Sequence, residues 1–306
     1  MSSEWIAVSN ALAKATQNTA AHTVAAHTEP RGSSSGVIWR PGVIVTAEHA
    51  LRRDEDIQIT LPDGQVANAK LVGRDPSTDL AVLKCEQAAT PVSSFADTST
   101  LKPGELMLVV GRTRASGPVA TLGVVSLVAQ ERHAWGGATL SPYVRLDVAL
   151  QRINVGGAVV NSSGQVTGIA TPKFAPMGAL AVPVATVNHV IDVLLAKGHI
   201  PRGYLGVGLQ PVRLPENLRE SLQRREKTAV MVLEAEPGSP AQAAGVVIGD
   251  ILLALEGKPV MRLEDVYAHL HGQNIGKTLS AEFLRGGERR NASIRVAERP
   301  NGERAQ

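Results

Sequence analysis

Between Thr23 and about Ala185 the chain is a succession of short apolar runs broken by turn signals. VIW is followed by Arg-Pro-Gly and then VIVTA; IQITL by Pro-Asp-Gly and then QVANAKLVG; AVVN by Ser-Ser-Gly and then QVTGIAT. Runs of this length predict an all-β barrel or sandwich: β-branched side chains pack well on a pleated surface, and Gly and Pro supply the turn dihedrals. The period then changes. Val187, Val190, Ile191, Leu194 and Leu195 fall at i, i+3, i+4, i+7 and i+8, the apolar stripe of a helix, with Gly198 as its stop. Trp5, Val8, Leu12 and Ala15 fall at i, i+3, i+7 and i+10 and predict a short amphipathic helix near the N-terminus.

The polar segment KGHIPRG (197–203) marks a domain boundary. Beyond it YLGVGLQPV, AVMVLEAE, DILLALEG, LSAEFL and ASIRVAE read as strands, and SPAQAAG and LEDVYAHLHG as helices, a small α+β domain. The expected organisation is an N-terminal helix or extension over 1–22, a β-rich domain over 23–200, the α+β domain over 201–299 and a disordered tail over 300–306.

Composition narrows the function classes. Hydrophobic residues make up 43% and charged residues 19%, a soluble globular balance, and aromatics only 3%, so Val, Leu, Ile and Ala must build the cores. The net charge of +3 is small, and the densest basic run, RREK (224–227), has no interleaved aromatics, so no nucleic-acid partner is expected. The single cysteine, Cys85, excludes an intrachain disulfide and reads as a small buried hydrophobe. There is no HExxH, and His269 and His271, two apart, would not share a helix face; neither metal nor cofactor is expected. No run is long enough for a membrane span. The N-terminus has Glu4 and no basic region before an apolar stretch, so it does not read as a signal peptide. The default expectation is the cytoplasm, with the periplasm or envelope as the alternative should a leader be missing.

Three blocks carry a resemblance: GSSSGVIWRPGVIVTAEHAL, with His49 just after an apolar strand; LPDGQVANAKLVGRDPSTDLAVLK, with Asp79 opening a strand; and DVALQRINVGGAVVNSSGQVTGIAT. Their order resembles the trypsin-like serine proteases of the HtrA/DegP family. RGYLGV, EPGSPAQAAGVVIGDILLALEGKPV and FLRGGE resemble that family's PDZ domain. The resemblance implies a double Greek-key β-barrel of the chymotrypsin/trypsin type followed by one α+β PDZ domain. It makes His49 the triad histidine and Asp79 the carboxylate that fixes its tautomer and orientation.

The third block departs from the family pattern, Asp-Ala-Ala-Ile-Asn-Pro-Gly-Asn-Ser-Gly-Gly-Pro. With Asp147, Asn154, Gly156, Gly157 and Asn161 in register, Val155 falls on the nucleophile and Ile153 on the glycine two residues earlier. Valine has no hydroxyl for a base to deprotonate. Loss of the nucleophile alone costs a serine protease on the order of a million-fold in turnover. The oxyanion donors would be the N–H groups of Val155 and Ile153. A β-branched residue disfavours the backbone angles a glycine allows, and losing one such donor costs about 10²–10³ in rate. Ser162 and Ser163 read as turn residues, roughly 20 Å along an extended strand from Val155; no geometric argument favours Ser33, Ser34 or Ser35.

The resemblance also implies that Arg202, Gly203, Tyr204, Leu205, Gly206 and Val207 form a loop presenting N–H groups to a peptide's terminal carboxylate. An extended peptide would then add as a strand beside 205–210, against LEDVYAHLHG. The expectation is a pseudoprotease that binds unfolded or C-terminal peptides without hydrolysis. It would act as a homo-trimer, as the family often does through N-terminal segments, or in an assembly with an active relative. The alternative is an active HtrA-like serine endopeptidase of protein quality control, using an unidentified nucleophile.

Overall fold

In a computed structural model of the chain, residues 2–29, 32–92, 94–129, 132–133, 139–140, 143–175 and 177–300 are described. The first apolar runs become strands β1 (Thr23–Glu29), β2 (Gly32–Arg40), β3 (Val43–Ala47), β4 (Ile57–Thr60), β5 (Val66–Asp75) and β6 (Leu80–Lys84). They close into a barrel in the order β1-β2-β3-β6-β5-β4. Next come β7 (Leu106–Thr113), β8 (Gly117–Ala129), a two-stranded ribbon of β9 (Arg132–His133) and β10 (Thr139–Leu140), then β11 (Tyr143–Asp147), β12 (Ala158–Asn161), β13 (Val166–Thr171) and β14 (Ala179–Pro183). Leaving out the ribbon, these strands close a second barrel, β11-β14-β13-β12-β7-β8. Followed round from β7, that is the strand order of the first barrel. The fold is the double antiparallel barrel that the family resemblance implied.

Why several strands read as unbroken apolar runs is now clear. Along β3, Val43 and Val45 face one apolar cluster and Ile44 another; along β6, Leu80 and Val82 face the first, Ala81 and Leu83 the second. Successive side chains of a strand point to opposite faces. One face fills the first barrel and the other packs on the second barrel, where β12, β13 and β14 contribute residues such as Val160, Ile169 and Leu180. A strand buried on both faces reads as a near-continuous apolar run; the one polar side chain of β3, Thr46, is buried with its hydroxyl on the Ser35 carbonyl. Each large side chain in this seam stabilises the fold by about 1.5–3 kcal/mol.

Two helices border the seam. Helix α1 (Ser2–Ala20) precedes β1, and α2 (Val184–Lys197) follows β14 and buries Val187, Val190, Ile191 and Leu194, with Leu195 half-buried. The α1 stripe is only half used: Ala15 is 4% exposed and Leu12 half-buried, but Trp5 is 73% exposed. The periodicity predicted the helix, not how much of it packs.

The chain divides into two compact units, the second beginning at Pro201. Its elements are β15 (Gly203–Tyr204), β16 (Val207–Arg213), α3 (Glu216–Ser221), β17 (Thr228–Ala235), α4 (Pro240–Ala243), β18 (Ile251–Leu255), β19 (Lys258–Pro259), α5 (Leu263–Tyr267), β20 (Thr278–Arg285), β21 (Glu288–Arg295) and β22 (Ala297–Glu298). The sheet runs β16-β17-β18-β20-β21, with β19 on β18, and β15 pairs β22. Val230, Leu252, Leu255, Val266 and Phe283 fill its core.

Two expectations change here. The helix expected over LEDVYAHLHG ends at Tyr267, because the N–H groups of His269 and Leu270 bond back to Val266 and Tyr267 in tight turns. Helix α3 was not anticipated; its six polar-rich residues carry no apolar stripe. The tail expected to be disordered lies outside the described residues from 301 onward.

Candidate active site

His49 sits in a 3₁₀ turn, Glu48–Ala50, where β3 ends. Asp79 reaches it from the loop between β5 and β6. That loop is organised by Asp75, only 2% exposed, whose carboxylate accepts the Ser77 N–H (3.1 Å) and the hydroxyls of Ser77 and Thr78 (2.6 Å each). Local bonds of this kind fix a turn independently of the rest of the fold. Asp79 itself stands at φ +58, a left-handed conformation that Asp tolerates better than most residues.

The Asp79 carboxylate is fully buried and heavily bonded. It accepts the His49 N–H at 3.0 Å, His49 Nδ1–H at 2.7 Å and the Thr171 hydroxyl, and Lys173 Nζ lies 3.8 Å away. Lys173 also donates to the Pro76 carbonyl (3.0 Å) and to Glu48 (3.5 Å). Donating Nδ1–H to Asp79 leaves Nε2 as the basic nitrogen of a neutral imidazole. The His49 side chain is 37% exposed. Thr171 ends β13 of the second barrel and Lys173 follows it, so this carboxylate bridges both barrels. Sequence reasoning missed both residues; only their place at and just beyond the end of the GIAT strand hinted at them.

The turn carrying Ile153 and Val155 is a second 3₁₀ element, Arg152–Asn154. The Val155 N–H donates to the Arg152 carbonyl at 3.2 Å and the Asn154 N–H to Gln151 at 2.9 Å. Ile153 therefore adopts a helical backbone that any L-residue accepts, and it is not among the positive-φ residues. Gly156 does need to be glycine. Its φ is +79, and a Cβ there would lie 2.3 Å from the Ser35 carbonyl oxygen and 2.8 Å from Ala47 N. The turn thus rests on β2 and on the end of β3, two residues before His49. Val155 is 5% exposed.

Ser35, for which the sequence offered no role, holds this turn. Its N–H donates to the Val155 carbonyl (2.8 Å) and its hydroxyl to the Ile153 carbonyl (2.5 Å). Ser162 and Ser163 are exposed in the turn between β12 and β13, where the Ser163 N–H bonds the Asn161 side chain at 3.0 Å.

In the second unit, Gly203 and Tyr204 form β15, Leu205 and Gly206 make the turn, and Val207 opens β16, an edge strand of the sheet. Gly206 has φ +74, and a Cβ would lie 2.2 Å from that of Ser239, so the loop packs backbone-close on the start of α4. The Leu205 and Gly206 carbonyls accept the N–H groups of Ala241 and Glu236. The Leu205 side chain is 4% exposed and belongs to the core. The Tyr204 hydroxyl donates to Glu236, which pushes its pKa up to about 12. The Arg202 carbonyl accepts the Arg299 N–H at 2.8 Å.

Residues 34–169 match the trypsin-like peptidase domain family, and residues 203–296 match the PDZ domain family. A protein of Rhizobium meliloti (strain 1021) named "Probable periplasmic serine endoprotease DegP-like" is 34% identical over 89% of this chain. The chain is of HtrA/DegP type, a trypsin-like peptidase domain followed by one PDZ domain. A DegP-like relative of the same name from Bartonella henselae is 31% identical over 86% of the chain. This HtrA-type chain spans about half the length of these relatives, 54% and 52%. Among solved structures, the HtrA-type protease AlgW with a decapeptide covers 95% of this chain and 99% of its own, at 26% identity and TM-score 0.75. The serine endoprotease of Yersinia pestis matches at 28% identity and TM-score 0.71, covering 94% and 97%.

For an HtrA-type chain the chemistry of the site is asymmetric. Asp79 orients the His49 imidazole, an arrangement that could accept a proton at Nε2. Position 155, reached through the matching residues on either side, offers a branched hydrocarbon. Its amide is committed to Arg152, so it is not free to receive a developing oxyanion.

Proposed function

We propose that this chain is an HtrA-type pseudoprotease: it binds peptides or protein C-termini through its PDZ domain and does not cleave them. The observation supporting the reading most is the turn at Arg152–Val155, where the register of Asn154, Gly156 and Gly157 assigns the nucleophile's position to a valine whose N–H is closed onto the Arg152 carbonyl. His49 and Asp79 would remain as the base and its orienting carboxylate, with no proton to take. Ile153 supports the closed turn because a helical backbone suits it and the glycine alternatives do not.

The binding half of the reading rests on the Arg202–Val207 segment beside an edge strand. A free edge accepts an added strand through main-chain hydrogen bonds, and the close glycine turn brings backbone N–H groups within reach of a carboxylate. The AlgW structure with a decapeptide supports a peptide as the class of ligand. The relatives' names favour the periplasm as the compartment, and assembly as a trimer or with an active relative belongs to the same reading.

A second reading, an active serine endopeptidase, draws on the intact His49–Asp79 pair and on relatives named serine endoproteases. Cleavage of unfolded casein separates the two. The account expects no cleavage by the wild-type chain. Cleavage that His49→Ala abolishes would establish the second reading instead. Fluorescence anisotropy with a library of C-terminal peptides tests the binding half, which fails if no peptide binds or if blocking the terminal carboxylate changes nothing.

A further inference from the structure

Arg112 lies on β7 and is 7% exposed, an unusual degree of burial for a guanidinium. Its side chain spans the join between α1 and β1. Nε donates to the Thr23 carbonyl at 2.8 Å and a terminal nitrogen to the Ala20 carbonyl at 2.9 Å, the last residue of α1. The final carbonyls of a helix lack partners within it and carry the negative end of its dipole, so a buried cation there satisfies both.

The backbone of the same residue faces the other way. The Arg112 N–H donates to the Ser35 hydroxyl at 2.8 Å, and that hydroxyl donates to the Ile153 carbonyl at 2.5 Å. A serine hydroxyl has one proton. With Arg112 occupying its acceptor side, the proton is directed to Ile153. The rest of Ser35 is fixed too: its N–H holds the Val155 carbonyl at 2.8 Å, and its carbonyl accepts the Thr46 hydroxyl at 2.6 Å. The neighbouring Gly111 presses on the same pair, for a Cβ there would lie 2.4 Å from Ser35 Oγ and 3.0 Å from the Ile153 oxygen.

We infer that Arg112 and Ser35 form a buried relay through which the seating of α1 sets the geometry of the Arg152–Val155 turn, with Ser35 as the positioning residue. The path runs from the Ala20 carbonyl through the guanidinium to the β7 backbone, from its N–H to the Ser35 hydroxyl, and from there to Ile153. The links are hydrogen bonds joined through the covalent frame of Arg112, and all but the half-buried Ile153 end are buried, so loosening one end leaves the next group without a partner. The relay does not depend on whether Val155 stands for a lost nucleophile; it concerns the shape of the turn.

Amide hydrogen exchange of the full chain, read by mass spectrometry over segments 10–20 and 151–157, tests it. Ser35→Ala should accelerate exchange in 151–157 by about tenfold while α1 keeps its wild-type rate, since exchange reports local opening. Arg112→Met should accelerate both segments, and Arg112→Lys, which keeps the charge and a donor, should recover part of the protection in both. Ile59→Val, in the core of the first barrel, is the control for general softening and should leave the two segments unlinked. The inference is overturned if Arg112→Met loosens α1 but leaves 151–157 at the wild-type rate, or if Ile59→Val loosens the turn as much as Arg112→Met does. Should Ser35→Ala fail to fold, the Arg112 pair decides the matter alone.

Discussion

At the scale of single residues, the account turns on two positions of one turn. On the proposed reading, Val155→Ser would supply a nucleophile hydroxyl but leave the residue-155 amide facing the Arg152 carbonyl. Val155→Ser with Ile153→Gly also frees the peptide to turn over and release that amide. The double variant should therefore cleave casein about 10²-fold faster or more than the single one, the value of one oxyanion donor; equal rates would remove Ile153 from the explanation. Tyr204 gives a second test. Raised by its bond to Glu236, by burial and by that carboxylate's charge, it should titrate near pH 12 in ultraviolet difference spectra, and the late step should move to lower pH in Glu236→Gln. The folded value exceeds the ordinary one, so stability from this pair is fully present below about pH 10 and is lost as pH rises through the folded value. A tyrosine titration unchanged by Glu236→Gln would show that the bond is not made in solution.

At the scale of elements, the strands were legible wherever burial was simple. β3 and β6 announced themselves as apolar runs because both their faces are covered. The DPSTD loop was legible as a motif, and Asp75 supplies the physical reason for its sequence. Thr171, Lys173 and Ser35 were not legible, because each acts across a distance in sequence that no local pattern encodes: Thr171 and Lys173 reach Asp79 from the other barrel, and Ser35 reaches Ile153 across 118 positions. α5 was overestimated because its apolar period continues into residues whose amides close tight turns instead. The bridge between barrels is testable. Thr171→Val removes a buried donor to a carboxylate and should destabilise the chain by about 1.5–3 kcal/mol in urea unfolding. Ser163→Ala, on an exposed turn, should stay within about 0.5 kcal/mol of wild type. Equal effects would mean that the Asp79 cluster does not clasp the barrels.

At the scale of the whole molecule, two units of different construction share one chain, and each has its own source of stability. In the second unit the buried Asp250 carboxylate is held by Arg285 through two bonds of 2.7 Å. Burial acts to raise its pKa, but the Arg285 bonds and the Val247 N–H outweigh that and leave it below the ordinary range. Stability from the pair is thus present above the unfolded carboxylate's pKa, about 3.9, and is lost as pH falls below it toward the folded value. Calorimetry of the full chain should show the transition of this unit weakening below about pH 4, with a shallower acid slope in Arg285→Met; identical slopes would exclude the pair as the cause. The central claim, however, concerns the first unit: a base without a nucleophile. The most direct measurement is the intact mass of the purified chain after exposure to a serine-directed phosphonate probe, with Val155→Ser/Ile153→Gly alongside. The account predicts an unmodified wild-type mass and an adduct on the double variant. A wild-type adduct that disappears in His49→Ala would contradict it.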